Sequence, residues 1–312
     1  MKPAAGTLEY LEDLPPIGPP EFWQNRRGDR IAWNEYGDPG GGVMMFYHGW
    51  PSSRLQARAA HHLACERGIR VIALDRPGMG RSTLVRGRRL EDWDALIEEF
   101  ADAHGIGRFA QLGVSGGGPY VLPCITRMPD RVAGSAVLCG AVPLGPQEDS
   151  KGLHPVYRAM IAMKWMPPPC FSPAFKVGCW LAHGNLNRPP LSWLLAILPA
   201  EDREVLRCNP HGVPVFVASF EEGVRQGGSG VMSDADVYLN EWKLDLSSIR
   251  QPVCYWHGGR DRNIPAGLVR NLVARIPGAR LQVDETEGHF SLALHRAPDA
   301  MDYLARCLTS GG

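Results

Sequence analysis

The sequence predicts an α/β fold, a mostly parallel sheet flanked by helices with one helical insertion, and three observations carry that prediction. Short apolar runs that end in Gly- or Pro-containing turns alternate with helix-compatible stretches on both sides of a single interruption. Runs such as Val43–Tyr47 and Val71–Leu74 are continuously apolar, the pattern of strands covered on both faces. Of 312 residues, 44% are hydrophobic and 21% charged, and the 36 glycines and 27 prolines are scattered without a Gly-x-y period. That composition excludes general disorder and collagen.

The elements follow in order. Residues 1–20 are acidic and Pro-rich and read as an N-terminal arm. Phe22 to Gly37 alternates around Arg27-Gly28-Asp29, a hairpin pattern. Val43–Tyr47 is a strand stopping at His48-Gly49-Trp50-Pro51, Arg54–Arg67 a helix closed by Gly68, and Val71–Leu74 the next strand. Leu90, Trp93, Leu96, Ile97 and Phe100 recur at amphipathic helical spacing. Phe109–Gly113 is a strand, Gly117–Met128 a helix and Val132–Leu138 a strand. The alternation resumes with strand Val253–Trp256, helix Pro265–Ile276, strand Arg280–Val283 and a mostly helical His289–Leu308. Residues 21–142 and 237–312 thus form the expected core. Residues 143–236 break the alternation with Pro167-Pro168-Pro169, Pro189-Pro190 and an aromatic cluster of Trp165, Phe171, Phe175, Trp180 and Trp193, and read as a helical cap or lid.

Charge and cysteine usage remove several classes of function. Lys+Arg and Asp+Glu are 33 each, so the basic excess of a nucleic-acid binder is missing. None of the eight cysteines stands in C-x-x-C spacing, which argues against structural zinc and a redox pair. No basic segment followed by an apolar run opens the chain, and no apolar stretch approaches the ~20 residues of a membrane span, so a soluble, cytoplasmic protein with reduced thiols is expected.

Chemistry enters with Gly113-Val114-Ser115-Gly116-Gly117, a G-x-S-x-G match. Composition alone would produce about 0.2 such matches by chance, so the pentapeptide is weak without context. The context is a strand before it and a helix after it, the setting in which a sharp turn exposes the serine hydroxyl. A glycine-rich turn whose serine merely caps the helix is the bland alternative. A serine nucleophile needs a base, and the base needs an orienting acid. His289 lies in Gly288-His289-Phe290 after the last strand, and Asp261 in Gly258-Gly259-Arg260-Asp261 after the strand before it. All three sit at C-terminal strand ends, where open α/β sheets bind ligands.

With His48-Gly49-Trp50-Pro51 and Asp75-Arg76-Pro77-Gly78-Met79-Gly80-Arg81-Ser82, these segments make the chain resemble the α/β-hydrolase superfamily over about residues 21–310. The resemblance implies Ser115 as nucleophile, His289 as general base and then acid, and Asp261 as the residue fixing the imidazole tautomer. It implies an oxyanion hole from the backbone N–H groups of Trp50 and Gly116, with no cofactor and no metal. Trp50 is also expected at the pocket mouth, and Trp165, Trp180 and Trp193 in the cap are expected to contact an apolar substrate portion. His48 is read as shaping its loop, and Asp234 and Asp236 are reserves for the orienting acid.

Three other motifs read as structural. The Asp75–Ser82 glycines lack Gly-Lys-Ser/Thr, His61-His62 has no third metal ligand in sight, and Pro167–Pro169 suits a stiff cap loop. Superfamily members that act on epoxides or carbon–halogen bonds carry aspartate where Ser115 stands, so the resemblance favours an acyl-enzyme route. Carboxylic esters of a small-molecule, partly apolar kind are the expected substrates. Proline-type aminopeptidase or C–C bond hydrolase activity is the alternative within the family, although the Trp usual after the aminopeptidase nucleophile is Gly116 here. A non-hydrolytic binding, lyase or transferase member is the alternative of another class. A monomer or homodimer is expected.

Overall fold

A computed structural model describes residues 8–145, 152–153, 158, 161–162 and 165–310. Its described strands form one eight-stranded sheet in the order β1-β2-β4-β3-β5-β6-β7-β8. They are β1 (Glu21–Gln24), β2 (Arg30–Gly37), β3 (Gly42–Tyr47), β4 (Ile69–Leu74), β5 (Phe109–Val114), β6 (Val132–Leu138), β7 (Val253–Gly258) and β8 (Ala279–Asp284). β1 and β2 form the antiparallel hairpin, which turns at Gly28 with φ +85. β2 runs antiparallel to β4, and every pairing from β4 to β8 is parallel.

The continuous apolar runs follow from burial on both faces. In β4, Ile72 and Leu74 face a core that includes Trp93, Ile97 and Phe100, while Val71 and Ala73 face one that includes Ala300, Met301 and Leu304. The same alternation divides Met45 and Tyr47 from Met44 and Phe46 in β3. Helices α1 (His61–Cys65) and α11 (Ala297–Thr309) pack on the second face, and α2 (Trp93–Ala103), α3 (Val121–Arg127) and α9 (Ala266–Val273) on the first.

Helix starts are where the structure departs from the sequence reading. Arg54–Ala60 is a 3-10 segment that becomes α-helical only at His61, and Ser115–Tyr120 is likewise 3-10 before α3 begins. Gly116, Gly117 and Gly118 have poor helix propensity, and Pro119 lacks the N–H that an α-turn would use. Of the arm, residues 1–7 lie outside the described residues. The rest folds back rather than extending freely: Glu9–Leu11 is a 3-10 turn, and Leu11 is buried beside Val205 and Leu294.

Between β6 and β7 the described residues contain helices α4 (Ser172–Ala182), α5 (Leu191–Leu195), α6 (Ala200–Cys208), α7 (Gly212–Gly223) and α8 (Gly227–Leu239). The last of these passes the expected boundary at residue 236. Residues 146–151, 154–157, 159–160 and 163–164 of the expected cap lie outside the described residues. The short helices α10 (Phe290–His295) and α11 close the chain after β8.

Candidate active site

Val114 ends β5 in extended backbone, and Ser115 then takes φ +51, the left-handed region that strains a residue with a side chain. The reversal needs bare flanks. A Cβ on Gly117 would run into the Tyr47 carbonyl, and one on Gly113 would lie 2.6 Å from the Gly117 carbonyl oxygen. The glycines therefore let β5, the turn and the neighbouring strand β3 approach closely enough to lift the serine above the sheet edge.

Ser115 Oγ lies 2.9 Å from His289 Nε2, and His289 Nδ1 lies 2.7 Å from Asp261 Oδ2. The other carboxylate oxygen of Asp261 accepts the backbone N–H groups of Asn263 and Ile264 at 2.8 and 2.9 Å. Burial works against the charged imidazolium, but the Asp261 carboxylate, by its charge and hydrogen bond, outweighs it and raises His289 above the ordinary histidine value. Burial likewise opposes the Asp261 anion, and His289 offsets it, holding the carboxyl below its usual range.

The sequence reading missed what holds His289 in place. Asp202, at the start of α6, accepts the N–H groups of His289, Phe290 and Ser291 at 3.0, 2.9 and 2.9 Å. These are donors without intrahelical partners at the N-terminus of α10. A short-range pattern could not reveal this contact, because Asp202 precedes His289 by 87 positions.

Trp50 and Gly116 meet across the serine. A Cβ built on Gly116 would stand 2.6 Å from Trp50 Cβ and 2.9 Å from the Trp50 nitrogen. The Trp50 indole donates to the Val231 carbonyl at 3.0 Å, so its ring is tied to α8. His48 is buried beside this loop, its Nδ1 2.9 Å from the Gly49 carbonyl and its Nε2 accepting the Arg76 N–H at 3.3 Å. Burial and the Arg76 charge hold it well below the ordinary histidine value and neutral.

An apolar cavity with about 650 Å³ of empty space, its mouth included, opens on Ser115 and Gly116. Leu144, Leu153, Ile161, Met232 and Ala235 of the interruption line it together with Trp50. Trp165, Trp180 and Trp193 do not. They are 85%, 72% and 69% exposed and stand outside the lining, which corrects the expectation that they contact substrate. On α4, Trp180 lies on the outer side with Val177, while Gly178 faces inward against Phe220. Aromatic composition did not say which side of a helix would face the cavity. Asp234, a reserve acid, is instead bound to Arg76 and Arg88.

Among the described residues, Cys139, His257 and Asp261 bring potential metal-binding atoms within 4.8 Å of one another. Two of these side chains already make hydrogen bonds: Cys139 Sγ donates to the His289 carbonyl at 3.2 Å, and His257 Nε2 donates to the Ile264 carbonyl at 2.7 Å. Burial raises the Cys139 thiol well above its ordinary value, away from the thiolate a metal would need. No helix among the described residues is long and apolar enough to cross a membrane.

Comparison with known proteins places the chain among enzymes. Residues 39–301 match the family described as the alpha/beta hydrolase family. The chain is 27% identical over 257 residues to a pimeloyl-[acyl-carrier protein] methyl ester esterase of Aromatoleum aromaticum, covering 81% of this chain and 92% of that protein. It is 32% identical to a bifunctional esterase/perhydrolase of Acinetobacter calcoaceticus, but over 117 residues that span 37% of this chain and 42% of that protein. A solved thermophilic esterase from Thermogutta terrifontis superposes with a TM-score of 0.65 at 18% identity, covering 93% of this chain and 99% of that one. That last likeness speaks to the fold alone.

Proposed function

The chain belongs to the alpha/beta hydrolase family, and we propose that it is a serine hydrolase of carboxylic esters that works through an acyl-enzyme. The observation that carries the reading is the continuous chain of short contacts from Ser115 Oγ through His289 to Asp261. As Ser115 Oγ attacks the ester carbonyl, its proton passes to His289 Nε2, and the Asp261 carboxylate stabilises the imidazolium that forms. The carbonyl oxygen gains charge against the N–H groups of Trp50 and Gly116. Collapse of the tetrahedral intermediate expels the alcohol, which takes the proton back from Nε2. A water molecule then repeats the sequence on the acyl-enzyme, His289 accepting its proton, and releases the acid.

The apolar lining from Leu144, Met232 and Ala235 supports a neutral, apolar group beside the scissile bond. The same residues support residues 143–236 acting as a cap over the serine. Two anchors of that cap lie at the site itself, Asp202 under His289 and the Trp50 indole on Val231. Access would therefore open elsewhere in the cap than along α8. The relatives named as esterases agree with this substrate class, and a serine at position 115 favours acyl transfer over the aspartate chemistry of dehalogenases.

The reading is tested with a fluorophosphonate probe and a series of p-nitrophenyl esters. Wild-type protein should label at Ser115 and hydrolyse the esters, while Ser115→Ala should do neither and keep its fold. A protein that neither labels nor hydrolyses acetate to octanoate esters would point to the non-hydrolytic alternative. Turnover of prolyl amides in place of esters would favour the aminopeptidase alternative.

A further inference from the structure

Behind the oxyanion loop lies a buried charge cluster that the hydrolytic steps above do not use. A peptide unit is planar, so whatever holds its carbonyl oxygen also aims its N–H the opposite way. The Gly116 N–H belongs to the Ser115–Gly116 peptide, whose carbonyl accepts the Ala141 N–H at 2.8 Å. The Trp50 N–H belongs to the Gly49–Trp50 peptide, whose carbonyl accepts Arg76 Nη2–H and His48 Nδ1–H, each at 2.9 Å, and His48 is itself held by the Arg76 N–H at its Nε2. Arg76 Nη1 donates to the preceding carbonyl, that of His48. We propose that Arg76 is a positioning residue of the oxyanion hole: together with His48 its guanidinium aims the Trp50 N–H and, by polarising the carbonyl of the same peptide with a full charge, strengthens that N–H as a donor. The inference rests on the hydrolase reading above.

A buried guanidinium persists only if it is paired. Asp234 of α8 accepts Arg76 Nε–H at 3.0 Å and Nη2–H at 2.8 Å, and Arg88 donates to the same carboxylate. The Tyr120 hydroxyl adds a further donor at 3.0 Å, and its ring lies 4.6 Å beneath the Arg76 guanidinium carbon. Two cations thus share one carboxylate beside a neutral His48. The cluster keeps a net positive charge in contact with the oxyanion loop, the sign that a developing oxyanion requires. From the same helix, Tyr238 donates to the Gly116 carbonyl at 2.7 Å. One helix of the insertion therefore braces the loops on both sides of the serine.

The test compares wild type with Arg76→Lys and Arg76→Gln on a butyrate ester. Lysine keeps the charge but loses the forked geometry. Glutamine leaves Arg88 and Asp234 as a balanced pair, so at least one variant should fold, as thermal melting will show. The expected result is a fall in kcat of about 10- to 100-fold with KM within about twofold of wild type. Binding of a trifluoromethyl ketone that adds to Ser115 should weaken by a similar factor. Binding of an isosteric ether, which develops no oxyanion, should not change. Equal weakening of ketone and ether, or unchanged kcat, would overturn the role of Arg76 and leave only a structural one. If Ser115→Ala retains turnover, the hydrolase reading fails and this inference with it. If Ser115→Ala is inactive while Arg76→Lys and Arg76→Gln match wild type, only the inference fails.

Discussion

Replacing Asp261 by Asn probes the proposed triad with almost no change in shape. The carboxylate has two separate duties: one oxygen holds the N–H groups of Asn263 and Ile264, and the other accepts His289 Nδ1–H. An amide has one oxygen to offer. Turning it towards His289 would strip two N–H groups of their acceptor beside a buried side chain, at ~1–3 kcal/mol each. The oxygen therefore stays on the turn, and the NH2 group faces Nδ1. The imidazole must then accept at Nδ1 and carry its proton on Nε2, pointing at Ser115 Oγ, where it cannot act as a base. A loss of about 10⁴ in kcat, or ~5.4 kcal/mol, is expected for this forced tautomer. Because the contacts to the turn survive, the melting temperature should change little. Ester hydrolysis measured beside a thermal melt provides the assay. A folded Asp261→Asn protein that loses less than about tenfold would refute the assignment of Asp261 as the orienting acid.

Three further outcomes follow from the same geometry. His289 must be neutral to accept the serine proton and its imidazolium is stabilised by Asp261, so kcat/KM for a neutral ester should rise with pH through an inflection above the ordinary ~6.5; a flat profile from pH 5 to 9 would exclude it as the base. Ala235→Leu should narrow the cavity and cut kcat/KM for octanoate relative to acetate by about tenfold or more, at ~0.8 kcal/mol per displaced methylene, whereas Trp165→Ala, Trp180→Ala and Trp193→Ala should leave that ratio unchanged. Gly113→Ala brings a methyl against the Gly117 backbone at 2.6 Å and should cost ~1–3 kcal/mol in denaturant titration, while Gly107→Ala, with nothing within 4 Å, serves as a neutral comparison.

The sequence alone determined the sheet core and the three residues of the Ser115 contact chain, because both are written in local pattern. Strand periodicity reflects burial on two faces, and the glycines at 113 and 117 stand where no Cβ has room. The α/β order also places the ends of parallel strands on one side of the sheet, which is why Ser115, Asp261 and His289 could be brought together without coordinates. The insertion was legible as an interruption but not in its facing. Trp180 and Met232 are both apolar, yet one points to solvent and the other lines the cavity, since helix packing rather than composition sets orientation. Asp202 and Asp234 gave no local signal of their roles. Each is a single carboxylate whose backbone N–H or guanidinium partners lie 87 or more positions away, brought within hydrogen-bond reach only when the insertion settles on the sheet. Tertiary structure alone decided that the insertion holds the loops at Trp50 and His289, because buried N–H groups and guanidinium ions take whatever acceptor the packed chain presents.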